Sequence, residues 1–347
     1  MPDRDIIVIG TSAGGVEALQ VFAKTLPPNF PGSIFVTMHF PEHGTSVLPR
    51  ILSRASAIPA VHAADGETIV PGRIYVAPPD HHLLLSPHEV RLIRGPKENG
   101  HRPAIDPMFR SAAVAFGPRV IGVVLTGSLD DGVAGLAAIK RRGGLTVIQD
   151  PEEAVYPSMP QSARDHVQID RVVRLRHLAR VLGELMNEPI HARDIQVSER
   201  DAMENEYSAG NLKVIENAEE HPGKVSAFGC PDCGGVLWEI RDGEFTRFRC
   251  RVGHGWTSEA LLSQQGETLD DALWTALRAL EESAALSRQI AARYVARRMD
   301  GMAARFVDQA ESLERRASVV REVLVVDREL QMKPDLAESD PRRASSG

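Results

Sequence analysis

No stretch of the 347-residue sequence approaches the ~18 uncharged apolar residues of a membrane span, so membrane insertion has no candidate segment. A signal-peptide layout is missing too: MPDRDIIVIG sets Asp3, Arg4 and Asp5 ahead of a short apolar run. Cysteine is scarce, with three residues all between positions 230 and 250, which argues against a disulfide framework and for a reducing, cytoplasmic setting. Basic excess is also lacking. Lys and Arg number 40 against 47 Asp and Glu, a net charge of −7, so nucleic acid is not expected as the main partner. What is present, 43% hydrophobic and 25% charged residues, is the composition of a soluble globular protein with room for about two domains of ~100–200 residues.

From Asp5 to about Met186, short β-rich runs alternate with helix-like stretches: DIIVIG, SIFVTMHF, RIYVA, VIGVVLTG and LTVIQD. Alternation of this kind predicts an α/β fold with a doubly wound, mostly parallel, Rossmann-like sheet. HLLLSPHEVRLIR reads instead as a local hairpin. In open sheets of this class ligands bind at the carboxyl ends of the strands, so the residues that end these runs are the candidates for chemistry.

Gly10-Thr11-Ser12-Ala13-Gly14-Gly15 stands where a strand gives way to a helix and fits G-x-S-x-G, in which glycines permit a sharp turn that exposes the serine hydroxyl. On local grounds three readings stay open: a nucleophile, a phosphate or nucleotide loop, and a merely structural turn. The turn matches neither G-x-G-x-x-G nor the P-loop with its lysine. A second run ends in His39 and a third in Asp130 and Asp131, so three strand ends present Ser, His and Asp. A serine hydroxyl needs a base to take its proton, and the base needs a carboxylate to hold its tautomer. Any one of twelve histidines is more often structural than catalytic, and either aspartate could be a helix N-cap.

These residues resemble the catalytic domain of chemotaxis protein-glutamate methylesterases (CheB-type) over residues 1–187. IGTSAGG, MHFP, HRPAID, LTGSLDDG and AVYPSMP match family motifs in order. The resemblance implies Ser12 as nucleophile, His39 as general base and Asp131 as orienting carboxylate, with Asp130 a cap or surface acid. It further implies hydrolysis of glutamate methyl esters on methyl-accepting chemotaxis receptors, releasing methanol, with deamidation of receptor glutamines as a second activity. Two departures stand out. Ala13 replaces a threonine, and Ser128-Leu129 replace Met-Gly. Backbone N–H groups at Ala13 and Ser128 can still form an oxyanion hole, because main-chain donors do not depend on side-chain identity. The well-known members also carry a phosphorylatable receiver domain ahead of the catalytic one, whereas CPDCGGVLWE and FRCRVGH with the helical segment resemble the C-terminal extension of stand-alone members. Here the sequence starts almost at the first catalytic strand, so control is expected by some other route.

Residues 188–227 turn acidic and lose any sustained period, which predicts a linker. Cys230-Pro-Asp-Cys233 and Cys250-Arg-Val-Gly-His254 then present three thiolates and an imidazole in two knuckles, as a tetrahedral structural Zn2+ site requires. The bland alternative is three reduced cysteines with a chance histidine, but a unit of ~30 residues (228–262) can hardly hold itself together without metal. VLWEIRDGEFTRFR between the knuckles reads as a hairpin turning at Asp242-Gly243, so the unit looks like a zinc ribbon, and Trp238 and Trp256 read as core more readily than as contact surface. No cofactor is expected for the catalysis itself. Residues 263–331 predict a helical hairpin with Leu269, Leu273, Ala276 and Leu280 as its stripe and a break near Asp300-Gly301. It offers a surface for self-association or for docking on a receptor, with packing inside the chain as the default. The tail 332–347 reads as disordered.

Two other functions compete with the hydrolase. One is a catalytically weak esterase-fold scaffold or sensor in a stress-signalling complex. The other is a nucleotide-binding protein, which needs an acid at the end of the second strand, where this chain has His39.

Overall fold

Runs of β-branched and aliphatic residues with almost no solvent exposure build the main sheet. The computed structural model describes residues 2–41, 44–190, 199–208, 210, 223–242 and 245–331. In chain order the first part contains β1 (Ile6–Thr11), α1 (Gly15–Lys24), β2 (Ser33–Met38), α2 (Leu48–Ala55), β3 (Ala60–His62), β4 (Arg73–Val76), β5 (His82–Leu85), β6 (Val90–Ile93), α3 (Ile105–Phe116), β7 (Val120–Val124), α4 (Val133–Arg141), β8 (Leu145–Gln149), α5 (Ser158–His166), β9 (Arg171–Val173) and α6 (Leu175–Met186). Seven strands pair in the order β3-β4-β2-β1-β7-β8-β9. Every pairing is parallel. Helices cover both faces, as a parallel sheet demands. Ile7 and Ile9 face α1, α2 and α6 through Leu19, Phe22, Leu52 and Leu182. Ile6 and Val8, one residue out of phase, face α3, α4 and α5 through Phe109, Leu136 and Met159.

β1 has β2 on one side and β7 on the other, so the winding direction reverses there. Strands diverging from a reversal point leave a crevice at their carboxyl ends. The predicted hairpin is β5 paired antiparallel with β6. β3 and β9 were not read from sequence. Each is three residues long, too short for periodicity to show.

The acidic stretch departs from the linker expectation. Within it lie α7 (Glu199–Ser208) and the start of β10 (Lys224–Gly229). Glu204, Tyr207 and Ser208 are buried, which a highly charged composition conceals because the partners are arginines far along the chain. Residues 191–198 and 211–222 lie outside the described residues. β10, β11 (Val236–Asp242), β12 (Phe245–Cys250) and β13 (Gly255–Thr257) form an antiparallel sheet in that order. The hairpin register pairs Asp242 with Phe245, and Gly243 of the expected turn lies outside the described residues. Trp256 is core, buried with Leu237, Phe248 and Leu261, whereas Trp238 is half-buried.

The chain divides into two compact units, Met1–Leu262 and Ser263 onward. The second contains most of α8 (Ser258–Ala296) and all of α9 (Asp300–Gln331), so the predicted break falls at 297–299. The expected stripe needs correction. Leu269 and Ala276 are exposed, and the buried line passes through Leu273, Leu277, Leu280, Ala284 and Ala291. Its α9 counterpart is Ala303, Ala310, Ala317 and Leu324, seven residues apart. Such alternating four- and three-residue steps keep a seam facing its partner helix. Leu273 and Leu280 of the expected stripe lie on the seam, whereas Leu269 and Ala276 keep the same spacing on its exposed flank. Tyr294 stacks on Phe306 with centroids 5.6 Å apart, and Arg288 pairs with Glu314 at 2.7 Å. The tail 332–347 lies outside the described residues. Among the described residues no helix is long and apolar enough to cross a membrane.

Candidate active site

Ser12 follows β1 directly, in the turn that leads into α1. Gly14, with φ of 73°, takes the left-handed conformation that lets the chain reverse into the helix. The turn is pinned to the loop after β7, where the Ser12 N–H donates to the Thr126 carbonyl at 3.1 Å and the Thr11 hydroxyl to the same oxygen at 2.7 Å. Gly127 allows this close approach. A Cβ there would lie 2.0 Å from the Met159 sulfur and 3.0 Å from Ser12 Cβ.

The Ser12 hydroxyl lies 3.0 Å from His39 Nδ1, and His39 Nε2 lies 2.7 Å from Asp131 Oδ2. A carboxylate accepts only, so Nε2 carries the proton and Nδ1 is left free to accept from Ser12. His39 comes from the residue after β2 and Asp131 from the loop between β7 and α4, so the three converge at the reversal crevice. Asp131 is held on several sides: Ile105 N–H donates to Oδ2 at 2.7 Å, and Asn99 Nδ2 donates to Oδ1 at 3.1 Å. Burial works to raise its pKa. The hydrogen bond from His39, the imidazole's charge and the Ile105 N–H outweigh that and bring it down to about 2. Asp131 is therefore ionised at any working pH.

Three neighbours escaped the sequence reading. His101 stacks on His39 with ring centroids 3.7 Å apart and 15° between planes. Burial, and then the charge of His39, push its pKa down to about 3, so it packs as a neutral ring. Asp106 opens α3, and its carboxyl accepts from Gly135 N–H at 2.6 Å. Burial and then the charge of Asp131 raise Asp106 to about 8, since two adjacent buried carboxylates cannot both ionise cheaply. Asn99 is the third. The HRPAID segment was the available signal for His101 and Asp106, but nothing local tells which of its side chains face the triad.

Asp130 corrects an expectation. It is neither an N-cap nor a surface acid, because Gly132 holds the N-cap position of α4. Its carboxyl is buried and accepts from the Thr257 hydroxyl at 2.6 Å. Burial, opposed by that hydrogen bond, raises it to about 7. Of the expected oxyanion donors, Ala13 adjoins Ser12 and Ser128 follows Gly127. Among the described residues neither N–H has an acceptor.

A sequence profile described as CheB methylesterase matches residues 7–182. The chain belongs to the CheB methylesterase family. It is 40% identical over 185 residues to protein-glutamate methylesterase/protein-glutamine glutaminase 4 of Anaeromyxobacter dehalogenans, covering 52% of this chain and 51% of that protein. A counterpart from Geobacter metallireducens is 40% identical over 181 residues, covering 51% and 50%. The crystal structure of the Thermotoga maritima CheB methylesterase catalytic domain superposes with a TM-score of 0.51 at 35% identity, covering 52% of this chain and 98% of that one. The chain thus spans about half the length of the curated relatives it matches.

A second cluster brings Cys230, Cys233, Cys250 and His254 together, all ligand atoms within 4.8 Å of one another. Cys233 Sγ lies 3.6 Å from Cys250 Sγ, and His254 Nδ1 lies 3.7 Å from Cys230 Sγ and 3.5 Å from Cys250 Sγ. Tetrahedral zinc with Zn–S near 2.3 Å needs ligand atoms roughly 3.5–3.8 Å apart, so the donor set and its spacing fit that ion.

Proposed function

We propose that the protein is a serine hydrolase that removes methyl esters from glutamate side chains of a receptor and releases methanol. The Ser12–His39–Asp131 hydrogen-bonded line carries this reading. His39 Nδ1 takes the Ser12 proton as the hydroxyl attacks the ester carbonyl carbon. The tetrahedral oxyanion is met by the Ala13 and Ser128 N–H groups, strengthened by the N-terminus of α1. His39, now an imidazolium steadied by Asp131, returns the proton to the methoxy oxygen, and methanol leaves. Water, deprotonated by the same nitrogen, then opens the acyl-enzyme to give free glutamate. A glutamine amide can follow the same course with ammonia as leaving group. His101 holds the His39 ring plane through stacking and adds no competing charge.

Relatives named protein-glutamate methylesterase/protein-glutamine glutaminase support the substrate class. A methylated cytoplasmic domain of a chemotaxis receptor is the partner this chemistry calls for. The Cys3His cluster is proposed to hold a structural Zn2+ through Cys230, Cys233, Cys250 and His254, and three thiolates suit a reducing cytoplasm. Ser12→Ala is expected to lower methanol release from methylated receptor by at least about 10³-fold. Equal rates would leave the fold as a scaffold and end the esterase reading.

A further inference from the structure

The cysteine-bearing sheet lies against the loops that carry the triad's acid. β13 follows His254 immediately, and its first residue pairs with the loop before α3: Asn99 N–H donates to the Gly255 carbonyl at 2.8 Å, and Gly255 N–H to the Lys97 carbonyl at 3.1 Å. Asn99 then bridges two elements with its side chain. Oδ1 accepts from the Thr257 N–H at 2.8 Å, and Nδ2 donates to Asp131 Oδ1 at 3.1 Å. The amide orientation is settled by its neighbours, because a backbone N–H needs an acceptor and a carboxylate needs a donor. Asn99 has φ of 52° and Gly100 φ of 76°, the left-handed pair of a tight two-residue turn closed by Glu98 and His101. That turn brings Asn99 to Asp131 and His101 onto His39, the two members of one hydrogen-bonded pair.

An independent tie runs through the aspartate turn. Leu129 has φ of 60°, a conformation that strains a bulky side chain. Its side chain packs on the apolar cluster of the sheet, formed by Leu237, Phe248, Trp256 and Leu261 among others. Next to it, Asp130 takes the Thr257 hydroxyl. Leu129, Asp130 and Asp131 are consecutive, so the cysteine-bearing sheet grips the acid's own loop from one side and its amide partner from the other.

We propose that this sheet is a positioning element of the esterase: β13, acting through Asn99, fixes the orientation of Asp131, and Asn99 is a positioning residue for the reaction. The inference rests on the triad reading above. It assigns the metal-ligand unit a task in turnover although none of its ligand residues belongs to the Ser12–His39–Asp131 line. Loss of a ligand loosens β13, frees the Asn99 amide, and leaves Asp131 with fewer of the donors that hold it in line with His39.

Asn99→Asp separates this task from a structural one. Aspartate tolerates the same backbone conformation and still accepts the Thr257 N–H, so docking of the sheet is kept, but the donor to Asp131 is replaced by an acceptor. Three quantities are measured in the full chain: methanol release from a methylated receptor cytoplasmic fragment, the labelling rate of Ser12 by a fluorophosphonate, and Tm. The expected result for Asn99→Asp is a fall of about tenfold or more in kcat and in labelling with little change in KM. Tm falls somewhat, because two adjacent buried carboxylates repel, and the acidic limb of the pH profile, which a merely structural loss would leave in place, moves to higher pH as the added carboxylate favours the imidazolium. Cys230→Ser is expected to lower labelling comparably and to lower zinc content. Combined with Asn99→Asp it should cost less than the product of the two single losses, because both act in part through the contact of Asn99 with Asp131. Wild-type kcat and pH profile in Asn99→Asp would overturn the proposal, as would multiplicative losses in the double variant. If Cys230→Ser does not fold, the Asn99→Asp comparison decides alone. Ser12→Ala run alongside keeps the failures apart, since activity retained there sinks the esterase reading itself.

Discussion

Three aspartates within one small region take three different states, and environment alone decides between them. Asp131 has donors on both oxygens and stays charged. Asp106 lies beside that charge and keeps its proton, and Asp130 is raised because it is buried with one hydroxyl donor. An acid whose pKa rises on folding adds stability below its unfolded value, near 4, and that contribution is lost as pH climbs through the folded value, about 7 for Asp130. Asp130→Asn removes the titration while keeping the shape. Calorimetry from pH 5 to 8.5 should therefore show the wild-type Tm falling more steeply than that of the variant, and parallel curves would dismiss the buried-acid assignment. Glu98 behaves in the opposite sense. Burial raises its pKa, but Arg110 and Arg249 outweigh that and hold it at about 2, so its contribution is present above ~4.5 and disappears as pH falls toward 2. Ser12, His39 and Asp131 were legible because each ends or closely follows a strand and carries a recognisable motif. Asn99, His101 and Asp130 were not, because their significance lies in contacts with residues far away in sequence.

At the scale of elements, the cysteine-bearing sheet has a small core, a handful of buried apolar side chains around Cys230 and Cys250. Too little area is buried there for the sheet to stand by itself, which supports the proposal that ligand closure adds to its stability. Elemental analysis of freshly purified protein is expected to find about one zinc per chain, and a strong chelator should lower Tm. Metal-free protein with reduced thiols and an unchanged Tm would remove the assignment. α7 shows why composition misled. Glu204 receives Arg247 through two hydrogen bonds, at 2.7 and 2.6 Å. Nearby, Arg110 holds Glu98 at 2.6 and 2.8 Å, and the Ser208 hydroxyl joins Glu98 at 2.8 Å. Removing one partner of such a buried group typically costs about 3–5 kcal/mol, because the other charge is stranded. An acidic segment looks solvent-seeking until its arginines are located, and those lie on α3 and β12.

At the scale of the molecule, the compact unit that holds Ser12, His39 and Asp131 extends past the profile-matched region. Residues up to Leu262 form one compact body, although the family match ends at residue 182. A fragment ending at Leu262 is accordingly expected to keep Tm and hydrolysis within about twofold of the full chain. One ending at Glu188 loses Thr257, Glu204, Arg247 and Arg249, and with them the partners of Asn99, Asp130, Glu98 and Arg110. It should be at least about tenfold slower, as judged by methanol release. Equal activity of both fragments would show that the later sheet contributes nothing to turnover. By itself the sequence determined the parallel sheet and pointed to Ser12, His39 and Asp131 and to the four candidate metal ligands, since each depends on short-range pattern: runs of β-branched residues, residues at strand ends, and knuckle spacing. Only the tertiary structure decided that the acidic stretch is partly helix and that Asp130 is buried. It alone decided that the cysteine-bearing sheet meets the aspartate loop. Those outcomes depend on charges and hydrogen bonds between residues 43 to 158 positions apart, and no local period records such pairings.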